Sequence, residues 1–125
     1  MAEKLQLIGL LESAPYAATG QGAKFTANFD ERMTLDHSLA TSFELTADTA
    51  VSIPFGELDE VNVVYVRTVG GKVRLRVTSA DGTSQALPVD PYCVILSASV
   101  GITALDVTRV AATPTIVTIL IGKKS

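Results

Sequence analysis

From Thr41 onward, apolar and polar residues alternate in short runs separated by turn residues, and this pattern constrains the fold more than any other feature. Alternation with a period of two places every second side chain on the same face of a β-strand. Turn signals recur about every 8 to 12 residues, as they do in antiparallel sandwiches. The sequence therefore predicts an all-β fold, a single antiparallel β-sandwich or jelly roll of about eight strands.

The N-terminal part of the chain gives a different signal. The run KLQLIGLLES fits either a strand or a short helix, and its alternation favours the strand. Residues 14–23 are small and include glycine and proline, so that they bury little surface and predict an extended arm or loop. We therefore divide the chain into an N-terminal strand and extended arm, residues 1–24, and a β-sandwich domain, residues 25–125.

Composition favours one ordered domain. The 125 residues are 47% hydrophobic and 18% charged, which is typical of a folded core rather than of a disordered chain. The lone cysteine, Cys93, has no partner for an internal disulfide, and its apolar surroundings predict a buried side chain. Glu3 and Gln6 interrupt any signal-peptide pattern, and the longest apolar run, TIVTILIG, is far shorter than the roughly 20 residues of a spanning helix. We expect neither secretion nor a membrane segment.

Charge is distributed unevenly along the chain. Residues 1–62 contain ten acidic and three basic side chains, a net charge of −7, whereas residues 63–125 contain three acidic and seven basic side chains, a net charge of +4. Opposite halves can neutralise each other within one fold, or the acidic surface of one subunit can meet the basic surface of the next. Both interpretations are structural.

The stretch VYVRTVGGKVRLRV contains a Gly-Gly pair between two alternating runs. A two-residue turn at Gly70-Gly71 predicts a β-hairpin. One face of this hairpin is apolar and turned to the core: Val64, Val66, Val73, Leu75 and Val77. The other is a basic face that we predict to be the interaction surface of the chain: Tyr65, Arg67, Lys72, Arg74 and Arg76.

The predicted register places Arg67 directly opposite Arg74, and such a like-charge pair is destabilising unless an anion covers it. The carboxylates nearest in sequence are those of Glu57, Asp59 and Glu60, and we predict that one of them, from the same or an adjacent subunit, binds this pair. A nucleic acid phosphate is a second interpretation, which the net charge of -3 disfavours. A face covered only by solvent is the third.

No catalytic or metal-binding pattern emerges. The single histidine, His37, stands between Asp36 and Ser38, but neighbours in sequence do not form a catalytic triad, and no GxSxG turn is present. One histidine and one cysteine cannot supply a four-ligand zinc site, and the carboxylates lack EF-hand spacing. TGQGAK lacks the spacing of a phosphate loop. We predict a protein that is not an enzyme and binds no cofactor and no metal.

The C-terminal half, roughly residues 61–122, closes with ITALDVTRV, a turn of small residues and TIVTILIG. In this it resembles the small β-sandwich structural proteins of tailed-phage virions, which include capsid decoration and tail accessory proteins. The resemblance implies a homo-oligomer made in the host cytoplasm and incorporated into the virion, with major capsid or tail proteins as further partners.

We therefore expect a non-enzymatic virion structural protein, a capsid decoration or cementing protein that makes symmetric contacts between subunits. One alternative is a tail, collar or fibre component. Another is a ligand-binding β-sandwich that recognises carbohydrate or nucleic acid through the basic face.

Overall fold

The regular secondary structure is entirely β in the computed structural model of the protein, which describes residues 3–13, 25–96 and 98–124. No helix occurs in these ranges. The nine strands are β1 (Glu3–Ser13), β2 (Phe25–Leu45), β3 (Val51–Ser52), β4 (Val63–Val69), β5 (Val73–Ser79), β6 (Ser84–Val89), β7 (Tyr92–Ile95), β8 (Ile102–Arg109) and β9 (Thr115–Lys124). They form two antiparallel sheets, sheet A in the order β1-β2-β9-β4-β7 and sheet B in the order β3-β8-β5-β6. The predicted all-β class is confirmed.

The described chain divides into two compact units. The smaller unit, Lys4–Thr34, contains β1 and the first part of β2. Within it the Gln6 amide donates to an Asp30 carboxylate oxygen at 2.9 Å, and the Arg32 guanidinium donates to both oxygens of the same carboxylate at 3.3 and 3.1 Å. The arm predicted at 14–23 lies outside the described residues, and the division at residues 24 and 25 stays a prediction.

The larger unit begins at Leu35 and is a β-sandwich whose two sheets share one core. Sheet A contributes β2 from Leu35 onward, β9, β4 and β7, and sheet B contributes all four of its strands. Strand β5 shows why these residues fold this way, because its apolar residues face inward and are at most 8% exposed, whereas Arg74 and Arg76 between them are exposed. The five core residues predicted from the Gly-Gly stretch are all buried: Val64, Val66, Val73, Leu75 and Val77.

The hairpin predicted at Gly70-Gly71 is wrong. Strand β4 pairs with β7 and β9 in sheet A, whereas β5 pairs with β6 and β8 in sheet B, so that residues 70–72 cross from one sheet to the other. A second crossing, residues 110–114, joins β8 to β9 alongside the first, and the Val110 amide donates to the Lys72 carbonyl at 3.2 Å. The Gly-Gly pair is therefore a turn between layers.

Electrostatics explains this difference. In the predicted hairpin Arg67 would face Arg74, whereas in the sandwich Arg67 faces Thr118 and Tyr92, and Arg74 faces Thr108 and Pro88. The crossing thus removes a like-charge cross-strand pair. The turn itself permits either connection, because a type II′ hairpin turn needs a positive φ only at its first central residue, and Gly70 has one, at 95°.

The second turn signal, Asp81-Gly82, does form a hairpin, between β5 and β6. The Asp81 carboxylate accepts hydrogen bonds from the Thr83 amide at 3.0 Å and the Thr83 hydroxyl at 2.6 Å. Gly82 has a φ of 89° and donates its amide to the Ser79 carbonyl at 2.9 Å. Here the aspartate fixes a tight turn through its own side chain.

Candidate interaction surface

The sandwich distributes the five predicted basic-face residues over two surfaces. Tyr65 and Arg67 lie on the outer face of sheet A, and Arg74 and Arg76 lie on the outer face of sheet B. Lys72 lies in the connection between the sheets. All four cations are exposed as predicted. They do not form one basic face, because their strands belong to different layers.

The three predicted acidic partners have other surroundings. The Lys123 ammonium donates to an Asp59 carboxylate oxygen at 3.0 Å, Glu60 lies against Gly101, and Glu57 is exposed. Within the described residues no carboxylate lies within 4.0 Å of Arg67 or Arg74. The prediction that one carboxylate binds both Arg67 and Arg74 does not hold within one chain, because the two arginines are not neighbours.

Lys123 governs the ionisation of Asp59. The hydrogen bond from Lys123, followed by its charge, lowers the pKa of Asp59 below its usual value, and the same bond raises the pKa of Lys123. The Glu60 amide adds a hydrogen bond to the Asp59 carboxylate at 2.9 Å. This ion pair joins the loop before β4 to the end of β9.

Replacing Asp59 with asparagine is expected to reduce stability at neutral pH and to have no such effect in strong acid. Because the folded-state pKa lies below the unfolded value, the pair stabilises fully above the unfolded pKa of about 4 and stops doing so as the pH falls through the folded pKa. Denaturant unfolding of both proteins across the acid range measures this. Glu57→Gln is the matched control, and a pH-independent difference for Asp59→Asn would contradict the expectation.

The outer face of sheet A in the sandwich unit has few charged residues. Its residues lie in three cross-strand rows, Glu44–Ile116–Val69, Ser42–Thr118–Arg67–Tyr92 and Ala40–Leu120–Tyr65–Val94. The Ser42 and Thr118 hydroxyls are 3.3 Å apart, as expected for neighbours on the same face. We call these eleven residues the sheet A face.

Exposed large apolar side chains concentrate on the sheet A face. Four of the eight such residues in the described chain belong to it: Val69, Tyr92, Val94 and Ile116, which are 54%, 62%, 37% and 46% exposed. Its charged residues are only Arg67 and Glu44. Aromatic and aliphatic residues with a central arginine and few other charges are typical of the core of a protein interface.

At one end of the same sheet, a shift in the register of β2 accompanies buried side chains on the outer side. The register of β2 shifts between Leu35 and His37, so that Leu35 lies over Gly122 on the outer side, where its Cδ1 atom would be 2.8 Å from a Cβ added to that glycine. Leu35 and Val63 are buried there, at 2% and 1% exposure, yet neither belongs to the inter-sheet core. The exposed apolar side chains of the sheet A face therefore lie away from this buried end.

Tyr65, Arg67 and Tyr92 form a compact group on the sheet A face. Arg67 lies directly opposite Tyr92, and Tyr65 lies directly opposite Val94, so that the two tyrosines are diagonal neighbours, about 7 to 8 Å apart. The sequence does not identify Tyr92, because its cross-strand partner Arg67 lies 25 positions away. Its place in the alternating run YCVI was the available signal.

The other reactive side chains stand apart from this group. Cys93 is half-buried rather than buried as predicted, and this partial burial raises the pKa of the thiol. His37 is exposed on β2, where it lies opposite Lys123. Among the described residues no group of three or more histidine, cysteine, aspartate or glutamate side chains is placed to hold a metal ion.

No helix in the described chain is long and apolar enough to cross a membrane. No protein-family model, no curated protein and no solved structure matches the chain.

Proposed function

We propose that the protein is a non-enzymatic structural subunit of a tailed-phage virion and that it decorates the capsid. The observation that carries the proposal is the sheet A face, where exposed aromatic and aliphatic residues surround a single arginine. An exposed apolar surface of this kind on a small domain marks a site of protein association. The choice of a virion as the assembly rests on the resemblance of roughly residues 61–122 to virion β-sandwich proteins.

The uneven distribution of charge also supports an assembly role. The Arg74 and Arg76 side chains lie exposed on the outer face of sheet B, and the acidic residues Glu57 and Asp59 lie exposed before β4. Surfaces of opposite sign on one subunit favour contacts with a lattice that presents both signs. A tail, collar or fibre position uses the same features and is the alternative within this class.

Protein mass spectrometry of purified particles tests this function. Virions made by the genome that encodes the chain are separated into heads and tails, and the copy number of the chain is determined in each fraction. We expect many copies in the head fraction, in a fixed ratio to the major capsid protein. Copies in the tail fraction alone would contradict capsid decoration and favour the tail, collar or fibre position. Absence from both fractions would refute a virion role.

A second candidate function has one observation in its favour, the group of Tyr65, Arg67 and Tyr92. Two tyrosine rings beside an arginine can stack on sugar rings and bind their polar groups, as in other ligand sites with aromatic walls and a few polar side chains. Nucleic acid gains less support, because Arg67 is on one sheet and Arg74 and Arg76 are on the other. Retention on an anionic polysaccharide that falls with salt and with Arg67→Glu would favour this candidate.

A further inference from the structure

Arg67 and Glu44 lie on the sheet A face and form no ion pair with each other. Arg67 is on β4 and Glu44 is on β2, with β9 between them, and Glu44 is one row further along the strands. Strand spacing and rise place their backbones about 10 Å apart across the sheet and about 7 Å apart along it. Among the described residues no ion pair engages either side chain, so that two opposite charges on an otherwise uncharged face are available to a second molecule.

The pair is self-complementary under two-fold symmetry. When two copies meet face to face, a two-fold axis can lie in the interface plane and bisect the line from Glu44 to Arg67 at a right angle. Rotation about this axis places Arg67 of each copy against Glu44 of the other. One operator thus forms two identical ion pairs. The strand spacings give an angle of about 70° between the strands of the two copies, near the orthogonal class of sheet packing.

The same axis passes close to apolar side chains. The bisecting line crosses β9 between Thr118 and Ile116 and runs beside Val69 in the neighbouring row. Ile116 and Val69 are 46% and 54% exposed. In the face-to-face arrangement these two residues of each copy meet at the centre, with the charge pairs on either side, which is the usual distribution of an apolar centre and a charged surround.

We propose that the part of the sheet A face around Ile116 is a two-fold interface with a second copy of this chain, in which Arg67 of each copy binds Glu44 of the other and Ile116 and Val69 form the centre. The inference deepens the proposed function by naming the partner and the contacts, and it rests on that function in taking self-assembly as the role of the face. The basis for choosing a second copy is charge complementarity, because the face presents one cation and one anion in exchangeable positions.

Sedimentation equilibrium of the full chain over a wide concentration range tests the interface. We expect a monomer–dimer equilibrium, and we expect Arg67→Glu or Glu44→Arg alone to raise the dissociation constant about tenfold or more, because like charges then meet twice. The double variant Arg67→Glu/Glu44→Arg restores opposite charges and should recover most of the affinity. Arg76→Glu, on the outer face of sheet B, is the matched control and should leave the constant unchanged.

Several outcomes would overturn the proposal: a wild-type chain that stays monomeric, single reversals without effect, or a double variant as weak as the single ones. Because a charge reversal can affect folding, each variant is first compared with the wild type by thermal unfolding. Ile116→Glu gives an independent reading, since it is expected to abolish the dimer and leave the fold intact. If the chain forms a dimer that depends on these residues but is absent from virions, only the virion role is refuted. If the chain is incorporated into virions but its self-association does not depend on these residues, only the interface is refuted.

Discussion

Replacing Leu75 with alanine is expected to lower the free energy of unfolding by about 4 kcal/mol. Leu75 lies in the middle of β5 with no exposed surface, between Leu87 on one neighbouring strand and Val107 on the other. Its side chain is part of the core shared by the two sheets. Truncation removes buried apolar surface and leaves a cavity that the sheets on both sides cannot fill.

Leu87→Ala is the matched control for this prediction. Leu87 lies directly opposite Leu75 on β6, points to the same core and is only half-buried. The same truncation there should cost about half as much or less, because part of the removed surface was already in contact with water. Denaturant unfolding of the two variants at equal protein concentration measures the difference, and equal losses would contradict the central position of Leu75.

Gly70→Ala is expected to cost about 3 kcal/mol, the second largest effect. Gly70 has a φ of 95°, and a Cβ built on it would lie 2.8 Å from the Pro114 carbonyl oxygen. Alanine at this position therefore meets two penalties, a backbone conformation that side chains rarely adopt and a contact with backbone of the other crossing. The close approach arises because both crossings leave the sandwich at the same end.

Gly82→Ala separates the two penalties. Gly82 has a φ of 89°, and a Cβ built on it has no atom within 4 Å. Its replacement should cost only the backbone term, about 1 to 2 kcal/mol. Urea unfolding of both variants gives the comparison, and a loss at Gly70 no greater than that at Gly82 would mean that the two crossings are not in contact.

Which side chains face the core could be predicted from the sequence, but which sheet holds each strand could not. Val66 and Leu75 alternate with polar residues, and this alternation fixes inward and outward faces whether the two strands form a hairpin or lie in different layers. Gly70-Gly71 permits either connection, whereas Asp81-Gly82 carries a side-chain acceptor that specifies its turn. The repulsion of Arg67 and Arg74 in a hairpin was the signal against that pairing.

The interaction surface was predictable only in part, for the same reason. Tyr65 and Arg67 were identified because they belong to the Gly-Gly stretch, whereas Glu44 and Ile116 come from strands far away in the sequence. Nearness in sequence alone points to Glu57, Asp59 and Glu60 as partners of Arg67 and Arg74. In a sandwich the neighbours of a central strand such as β4 are set by sheet order, and this order places β9 and β7 beside it.

The separation of Arg67 and Arg74 onto opposite faces underlies the proposed interface, since the sheet A face has so few charges only because residues 70–72 cross between the sheets. The direct measurement is the spin–spin distance between nitroxide labels on Arg67→Cys and Arg74→Cys in a Cys93→Ser background, diluted with unlabelled protein. Sheets about 10 Å apart with labels directed outward predict a distance of about 25 Å. A distance under about 15 Å, as expected when the two residues face each other in a hairpin about 5 Å apart, would contradict their separation onto two sheets.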